Sequence, residues 1–206
     1  MNIYFVRHPH YLNPDNVYAF HLPMELSKEG KAHADRIGKW LTENNILDIP
    51  IYTSQIKRCI QTSEIIAKYT HSSISIDKRL IETSCKDLQG TKQPSENAWV
   101  LEEDNPSRES REHILERILD FYNEKVKKNE DCIAVSHGDQ ITHLYYYLNC
   151  IKLPKYLWGP DNIENIISRG EIVKVEVDAE KLHSISRIIV NQSQPNWTKK
   201  RQNILQ

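Results

Sequence analysis

The stretch NIYFVRHP, residues 2–9, decides the fold of this chain of 206 residues. Residues 2–6 are mostly apolar and rich in β-branched and aromatic side chains, which predicts a short strand buried on both faces. The run stops at Arg7-His8-Pro9, so polar chemistry follows directly on the end of the strand. A second buried run, Cys132–Val135, is followed in the same way by Ser136-His137-Gly138. We therefore look for a site where these two strands end.

Strands and helices alternate along the rest of the chain. Ser27 is a typical N-cap for a helix that ends near Asn44, and Ser54 is placed to cap a second helix. The full set of expected elements is strands over 2–6, 49–53, 74–76, 132–135, 172–177 and 185–190, with helices after Ser27, after Ser54, over about 108–128 and after His137. This order predicts an α/β fold, a three-layer α/β/α sandwich around a mostly parallel central sheet.

The length fits one domain with a sizeable core. We place that domain at residues 1–191. Residues 85–107 are polar and contain two prolines, which predicts an irregular excursion over the site. Residues 192–206 are expected to form a flexible tail.

Composition excludes several classes of protein. Basic and acidic residues number 27 and 28, so the chain lacks the positive field that nucleic-acid binding needs. No run approaches the roughly 20 apolar residues that span a bilayer. The four cysteines are widely spaced and contain no C-x-x-C pair, which favours free thiols. We expect a cytoplasmic protein that binds neither nucleic acid nor membrane.

The polar residues at the strand ends point to an anion site. Parallel sheets bind ligands beyond the carboxyl ends of their strands, where Arg7, His8 and His137 are expected. Arg58 falls in the first turns of the helix after the second strand and should reach the same edge. Two guanidinium groups and two imidazoles would repel one another unless an anion lay between them. Phosphate suits this arrangement because guanidinium groups bind its oxygens in pairs.

Five motifs occur along the chain in a fixed order. They are VRH at 6–8, LSKEG at 26–30, SQIKRCIQT at 54–62, LIE at 80–82 and VSHG at 135–138. Each is weak alone, but together they resemble the histidine phosphatase superfamily, the phosphoglycerate mutase-like proteins. The resemblance covers residues 1 to about 150 and favours the phosphatase branch of that superfamily.

The resemblance implies a role for each matching residue. His8 would be the nucleophile that takes the phosphoryl group as phosphohistidine, while Arg7, Arg58 and His137 would hold the phosphate oxygens. Glu82 would protonate the leaving oxygen and then activate water. This chemistry implies no metal and no other cofactor.

The chain departs from the family pattern near the first histidine. Pro9 replaces the usual glycine and removes a backbone donor from the phosphate pocket. The family's asparagine is shifted, and Asn13 is the nearest candidate for a substrate-binding residue. The glycine-rich region after Glu82 becomes TSCKDLQG, residues 83–90. The side of the pocket that receives the leaving group is therefore unusual.

We favour a phosphomonoesterase over a mutase. A mutase needs extra cations to keep its intermediate, and the excursion lacks the adjacent arginine pair of the glycolytic mutases. The available charges there are Lys86, Lys92, Arg108 and Arg111, and they are opposed by Glu102, Glu103 and Asp104. The expected partner is a small phosphorylated substrate, and a homodimer is an open alternative for the oligomeric state.

Two other classes stay as alternatives. A metal-dependent hydrolase could use His8, His10, His21 and His33, although no H-E-x-x-H helix or carboxylate cluster accompanies them. A catalytically inactive phosphate-binding module on the same fold is suggested by Pro9 alone. Hydrolysis that survives a chelator would separate both from the phosphatase.

Overall fold

The computed structural model describes residues 1–93, 105–154 and 166–190. The middle of the predicted excursion, residues 94–104, lies outside the described residues, and so does the predicted tail at 192–206. The acidic residues Glu102, Glu103 and Asp104 fall in the first of these segments. The domain boundary that we placed at residue 191 therefore stays a prediction.

Six strands and four helices make up the described fold. The strands are β1 (Asn2–Arg7), β2 (Ile51–Thr53), β3 (Ile74–Ile76), β4 (Cys132–Ser136), β5 (Glu171–Asp178) and β6 (Lys181–Ile189). The helices are α1 (Lys28–Glu43), α2 (Lys57–Thr70), α3 (Arg111–Lys128) and α4 (Gly138–Leu148), and a 3-10 turn spans Lys78–Leu80. Within the described parts of the chain, none of these helices is both long and apolar enough to cross a bilayer.

The six strands form one sheet in the order β3-β2-β4-β1-β5-β6. The first four strands in this order, β3, β2, β4 and β1, are parallel to one another. Strand β5 runs antiparallel to β1 and forms a hairpin with β6. The prediction of a mostly parallel α/β sheet is thereby confirmed. In the β1–β4 register Arg7 lies opposite Ser136, so the residues that follow these two strands emerge side by side.

Strand β1 separates two hydrophobic cores because its side chains alternate between the two faces of the sheet. Ile3 and Phe5 pack with residues of α3 and α4, including Phe121. Tyr4 and Val6 pack with residues of α1 and α2 on the other face. Helices thus cover both faces, which is the three-layer sandwich that the sequence predicts.

Several predicted boundaries are wrong by a few residues. Helix α2 begins at Lys57 with Ile56 as its N-cap, and Ser54 does not cap the helix. The Ser54 hydroxyl accepts from the Ile56 amide and also contacts His137. Helix α3 begins at Arg111 and not near Arg108, because Ser110 supplies the cap by accepting from the His113 amide. The prediction of Ser27 as the cap of α1 is confirmed, since its side chain accepts from the Gly30 amide.

The first turn of α1 holds the segment that follows β1. The Ser27 amide donates to the His10 carbonyl at 3.0 Å. A Cβ atom placed on Gly30 would lie 1.9 Å from that carbonyl oxygen, a distance at which the backbone has to shift. Only glycine lets the two backbones approach this closely. The loop that carries His10 and Tyr11 is therefore fixed by α1.

Gly30→Ala should destabilise the protein by about 1–3 kcal/mol, because the new methyl group overlaps backbone and not a flexible side chain. Alanine is intrinsically preferred over glycine within a helix by roughly 0.5–1 kcal/mol, which acts in the opposite direction. A net loss of stability is therefore due to the overlap with the His10 carbonyl. Urea unfolding measures the change, with Lys31→Ala at an exposed position of the same turn as the control. A loss no larger than that of the control would contradict this account of the loop.

Candidate active site

The ends of β1 and β4 bring two histidines together. His8 follows β1 directly, and His137 is the N-cap of α4 immediately after β4. Their ring centroids lie 5.0 Å apart, and both side chains are buried, at 2% and 0% exposure. This is the juxtaposition that the two strand-end motifs predict.

Arg58 connects the groups of the site. It lies in the first turn of α2 and is 1% exposed. Its Nε–H donates to His8 Nε2 at 3.0 Å, and its Nη2 lies 3.2 Å from His137 Nδ1. The same Nη2 lies 3.5 Å from the Glu82 carboxylate oxygen Oε2. One guanidinium therefore touches three of the other residues to which the sequence assigns chemistry.

Backbone carbonyls fix the orientation of both predicted phosphate-binding arginines. Arg58 donates to the carbonyls of Phe20 at 2.7 Å and Leu22 at 3.3 Å. Arg7 donates from Nη1 to the carbonyl of Ile167 at 2.6 Å. A carbonyl is a dipole and not an ion, so these contacts orient the guanidinium groups and leave their positive charge available to an anion.

Burial and positive charge set the protonation of the site. Burial, followed by the charge of Arg58, holds the pKa of His8 well below its usual value of 6.5. The pKa of His137 is lowered by the same two causes in the same order. Burial, and then the charge of Arg169, lowers the pKa of Arg7 to about 10. At neutral pH the site therefore holds neutral imidazoles beside charged guanidinium groups.

The ring of His8 has a defined tautomer. Its Nδ1 lies 2.8 Å from the Pro9 carbonyl oxygen, which can only accept a hydrogen bond. The proton of the neutral ring therefore sits on Nδ1, and the Nε2 lone pair points towards Arg58. Proline lacks the amide donor of the usual glycine but keeps this carbonyl, so the hydrogen bond that orients the His8 ring does not depend on the replaced amide.

Glu82 is held beside both His137 and Arg58. Its Oε2 lies 3.3 Å from His137 Nδ1, and its Oε1 accepts from the Thr83 amide at 3.0 Å. The imidazole of His21 contacts the Glu82 main-chain carbonyl at 2.7 Å. The side chain is 16% exposed, so the carboxyl can reach a ligand in the pocket.

A pocket opens over these groups. The residues that line it are Arg7, His8, Tyr11, Tyr18, Ala19, Phe20, Arg58, Glu82, Gln93, Asp139 and Arg169. His137 is fully buried and contacts the lining residues Arg58 and Glu82 without itself lining the pocket. Four of the five predicted catalytic residues thus face one cavity, and the fifth supports it.

The structure does not bring Asn13 to this pocket. The side chain of Asn13 donates to the Val17 carbonyl at 2.8 Å and accepts from the Val17 amide at 3.1 Å, which closes a local turn. Its role in substrate binding stays a prediction. The cations that we considered for a mutase also lie away from the pocket lining, since Arg108 pairs with Asp87 and Arg111 donates to the Pro154 carbonyl.

Sequence reasoning missed seven of the lining residues, and three of these, Asp139, Tyr11 and Arg169, carry polar or aromatic groups that bear on the site. Asp139 follows His137 by two positions, so its place in the first turn of α4 could have been deduced from the predicted helix. Tyr11 and Arg169 gave no comparable signal. Arg169 is distant in sequence from every motif, and its neighbour Gly170 is held beside β1 because the Gly170 amide donates to the Arg7 carbonyl at 3.0 Å.

Three side chains are close enough to hold a metal ion. Ligand atoms of His8, Glu82 and His137 lie within 4.8 Å of one another. The Arg58 guanidinium, however, lies within 3.5 Å of a ligand atom of each of them and would repel a cation. Of the other histidines of the metal hypothesis, His10 contacts Arg169, His21 contacts the Glu82 carbonyl, and the His33 ring lies against Gly170. The site suits an anion better than a metal.

Known proteins resemble this chain in sequence and in fold. The model of the histidine phosphatase superfamily (branch 1) matches residues 3–183. A 2,3-bisphosphoglycerate-dependent phosphoglycerate mutase from Blochmanniella pennsylvanica is 25% identical over 66% of this chain and 78% of its own. The corresponding mutase from Cytophaga hutchinsonii is 29% identical over 68% of this chain and 72% of its own.

Two solved structures share the fold at lower identity. YhfR from Bacillus stearothermophilus superimposes with a TM-score of 0.73 and 22% identity over 88% of this chain and 94% of that protein. A putative alpha-ribazole-5'-P phosphatase from Escherichia coli gives a TM-score of 0.69 and 17% identity over 93% and 96%. On the match of the family model along residues 3–183, the chain belongs to the histidine phosphatase superfamily.

Proposed function

We propose that the protein is a metal-independent phosphomonoesterase that forms a phosphohistidine on His8. The observation that carries this proposal is the hydrogen bond from charged Arg58 to the Nε2 atom of a neutral His8. This contact supports the proposal because it puts a charged guanidinium 3.0 Å from the atom that would attack phosphorus. Members of this superfamily are phosphatases or mutases, and some of the solved structures that share the fold are named as phosphatases.

A phosphate group would enter between the arginines and His8. Its oxygens would accept from Arg7 and Arg58, which the backbone already orients, so little reorganisation is needed on binding. Arg58 would then turn its donors from His8 Nε2 to the phosphate. The lone pair of Nε2 would be left facing phosphorus, in line with the ester oxygen.

In the first step, His8 Nε2 forms a bond to phosphorus as the bond from phosphorus to the ester oxygen breaks. Glu82 gives its proton to the departing oxygen, which leaves as an alcohol. The Pro9 carbonyl keeps its hydrogen bond to Nδ1–H and stabilises the positive charge that develops on the ring. The guanidinium groups stabilise the charge on the three remaining phosphate oxygens.

In the second step, water attacks phosphorus and the bond to Nε2 breaks. Glu82, now a carboxylate, accepts a proton from that water. Inorganic phosphate and neutral His8 are the products, and Glu82 is again protonated. His137 contributes by holding Arg58 and Glu82 in place, with contacts of 3.2 and 3.3 Å.

Water is the acceptor that we favour over a second hydroxyl group. None of Lys86, Lys92, Arg108 and Arg111 lines the described pocket, so these four candidates do not hold a dephosphorylated intermediate in place, and Arg169 is the additional cation of the lining. The curated relatives named above are mutases, which makes transfer the competing reaction. An assay that measures free phosphate alongside transfer to added alcohols distinguishes the two.

Replacing the nucleophile is the first test. His8→Ala should lower the hydrolysis of 4-nitrophenyl phosphate by at least about a thousandfold, because the covalent route is lost. EDTA should leave the native rate unchanged. The substitution His183→Ala, at an exposed position of β6, serves as the control. Label from a ³²P-labelled substrate that is stable to alkali and lost in acid should identify phosphohistidine in the native chain and be absent from His8→Ala.

Three outcomes would contradict the mechanism. They are hydrolysis that EDTA abolishes, activity that persists in His8→Ala, or turnover without a labelled histidine. A native chain that binds phosphate but hydrolyses no ester would favour the inactive binding module instead.

The role of Glu82 depends on the leaving group. Glu82→Gln should slow an alkyl phosphate by about 10²–10⁴-fold, because an alkoxide needs a proton as it leaves. It should slow the formation of phosphohistidine from 4-nitrophenyl phosphate far less, since nitrophenolate leaves without one. Rapid-quench measurement of the first step gives both rates, and Glu64→Gln on the exposed face of α2 is the matched control. An equal effect on both esters would rule out general acid catalysis by Glu82.

The lowered pKa of His8 predicts the acid limb of the activity profile. Because the ring is neutral down to a pH well below 6.5, protonation of the nucleophile should not reduce turnover between pH 7 and pH 6. The dependence of kcat/KM on pH, which reports the groups of the free protein, tests this with an aryl ester. A fall in kcat/KM below pH 7 that exceeds the titration of the ester itself would show a solvated nucleophile and contradict the structure.

A further inference from the structure

A third arginine lines the pocket in addition to the two already assigned. Arg169 reaches it from the segment before β5, beside Arg7. The lining thus contains three guanidinium groups against the two carboxylates of Glu82 and Asp139. Hydrolysis of a simple phosphate ester, as proposed above, uses Arg7 and Arg58 and gives Arg169 no task.

The contacts of Arg169 present its charge to the pocket. Its Nη1 lies 3.2 Å from Nδ1 of His10, and its Cζ lies 4.7 Å from the centre of the Tyr11 ring. Burial and the charge of Arg169 lower the pKa of His10 to about 4, so this imidazole is neutral and its Nδ1 accepts the hydrogen bond. A neutral ring and an aromatic face orient the guanidinium and leave it cationic.

The backbone around Arg169 is fixed. The Gly170 amide donates to the Arg7 carbonyl at 3.0 Å, and the Ser168 amide donates to the Glu171 carboxylate at 2.6 Å. Gly170 has a φ of +76° and lies so close to the His33 ring that a Cβ atom would overlap it. Arg169 is therefore preorganised, which is typical of a residue that binds a ligand.

Arg58 contacts the reacting atom directly, whereas the described contacts of Arg169 are with His10 and Tyr11. The Tyr11 ring connects the two arginines, since Arg58 lies over it at 5.1 Å and Arg169 at 4.7 Å. That ring is 5.6 Å from the ring of His8. After burial, the charge of Arg169 is the main cause of the lowered pKa of Arg7 and of His10, whereas for His8 it comes after the charges of Arg58, His137 and Arg7. An anion held by Arg169 would sit beside the transferred phosphoryl group.

We propose that Arg169 determines substrate specificity by binding a second anionic group on the alcohol part of the phosphate ester, at a subsite formed with His10 and Tyr11. This inference rests on the proposed phosphatase activity for its biological meaning but concerns binding. The guanidinium fork matches a carboxylate with two parallel hydrogen bonds, so a carboxylated phosphate monoester is the simplest ligand of this class. The preferred substrates would carry a carboxylate or a second phosphate near the ester.

A comparison of phenyl phosphate with its carboxylated derivatives tests the subsite. Values of kcat/KM are measured for phenyl phosphate and for its 2-, 3- and 4-carboxyl derivatives, with the native chain, Arg169→Gln and Arg169→Lys. The readout is the ratio of the best carboxylated ester to phenyl phosphate. Lys39→Gln removes the same charge from an exposed position of α1 and is the control. Thermal unfolding of each variant confirms that it folds.

We expect Arg169→Gln to lower this ratio at least tenfold, Arg169→Lys to lower it less, and Lys39→Gln to leave it unchanged. A ratio in Arg169→Gln equal to the native one would overturn the proposal, whatever the absolute rates. So would an equal loss on both esters, which would place Arg169 on the phosphoryl group.

A binding measurement separates this inference from the proposed function. Calorimetry compares phenylphosphonate with the carboxylated phenylphosphonates, which bind without reacting. If the native chain hydrolyses no ester, the phosphatase proposal fails, yet a carboxylate preference in Kd that disappears in Arg169→Gln would still support the subsite. If the phosphonates bind with no carboxylate preference in the native chain, the subsite is refuted even when hydrolysis is found.

Discussion

The hydrogen bond from Arg58 to His8 is the interaction around which the described site is arranged. It joins α2 to the end of β1, although the two residues are 50 positions apart in the chain. The same guanidinium reaches His137 after β4 and Glu82 after the 3-10 turn. A buried charge of this kind is tolerated only with partners on every side, and here backbone carbonyls supply the remaining ones. The sheet order matters because it brings all of these partners to one edge.

The parts of the fold that follow from local patterns could be predicted from the sequence. Buried runs such as Cys132–Val135 and a cap such as Ser27 depend on neighbours close in the chain. Ser54 shows why this reasoning fails at the site. A serine before a helix is typical of an N-cap, but the hydroxyl of Ser54 is used by His137, 83 positions away. Competition between a local and a distant partner is invisible in one sequence.

The candidate site also contains residues that could be predicted from the sequence and residues that could not. His8, Arg58 and His137 could be predicted to converge because they follow the ends of strands that pair in parallel, and motifs mark them. Asn13 was inferred from a shifted motif, and the structure shows it closing a turn with Val17. Arg169 could not be found because its place depends on the antiparallel β5 lying beside β1. No sequence motif and no hydrophobic periodicity indicates that β5 pairs with β1.

The backbone carbonyls that orient Arg7 and Arg58 have a consequence for the end of the proposed reaction. They hold the guanidinium groups of both residues in fixed orientations, so donors for phosphate oxygens are in place whether or not the phosphate is part of an ester. Inorganic phosphate satisfies those donors as well as an ester does and brings no leaving group to accommodate. In the proposed phosphatase, inorganic phosphate would therefore compete with the substrate for the same donors. Its release would then be a step that the phosphate concentration of the surroundings opposes.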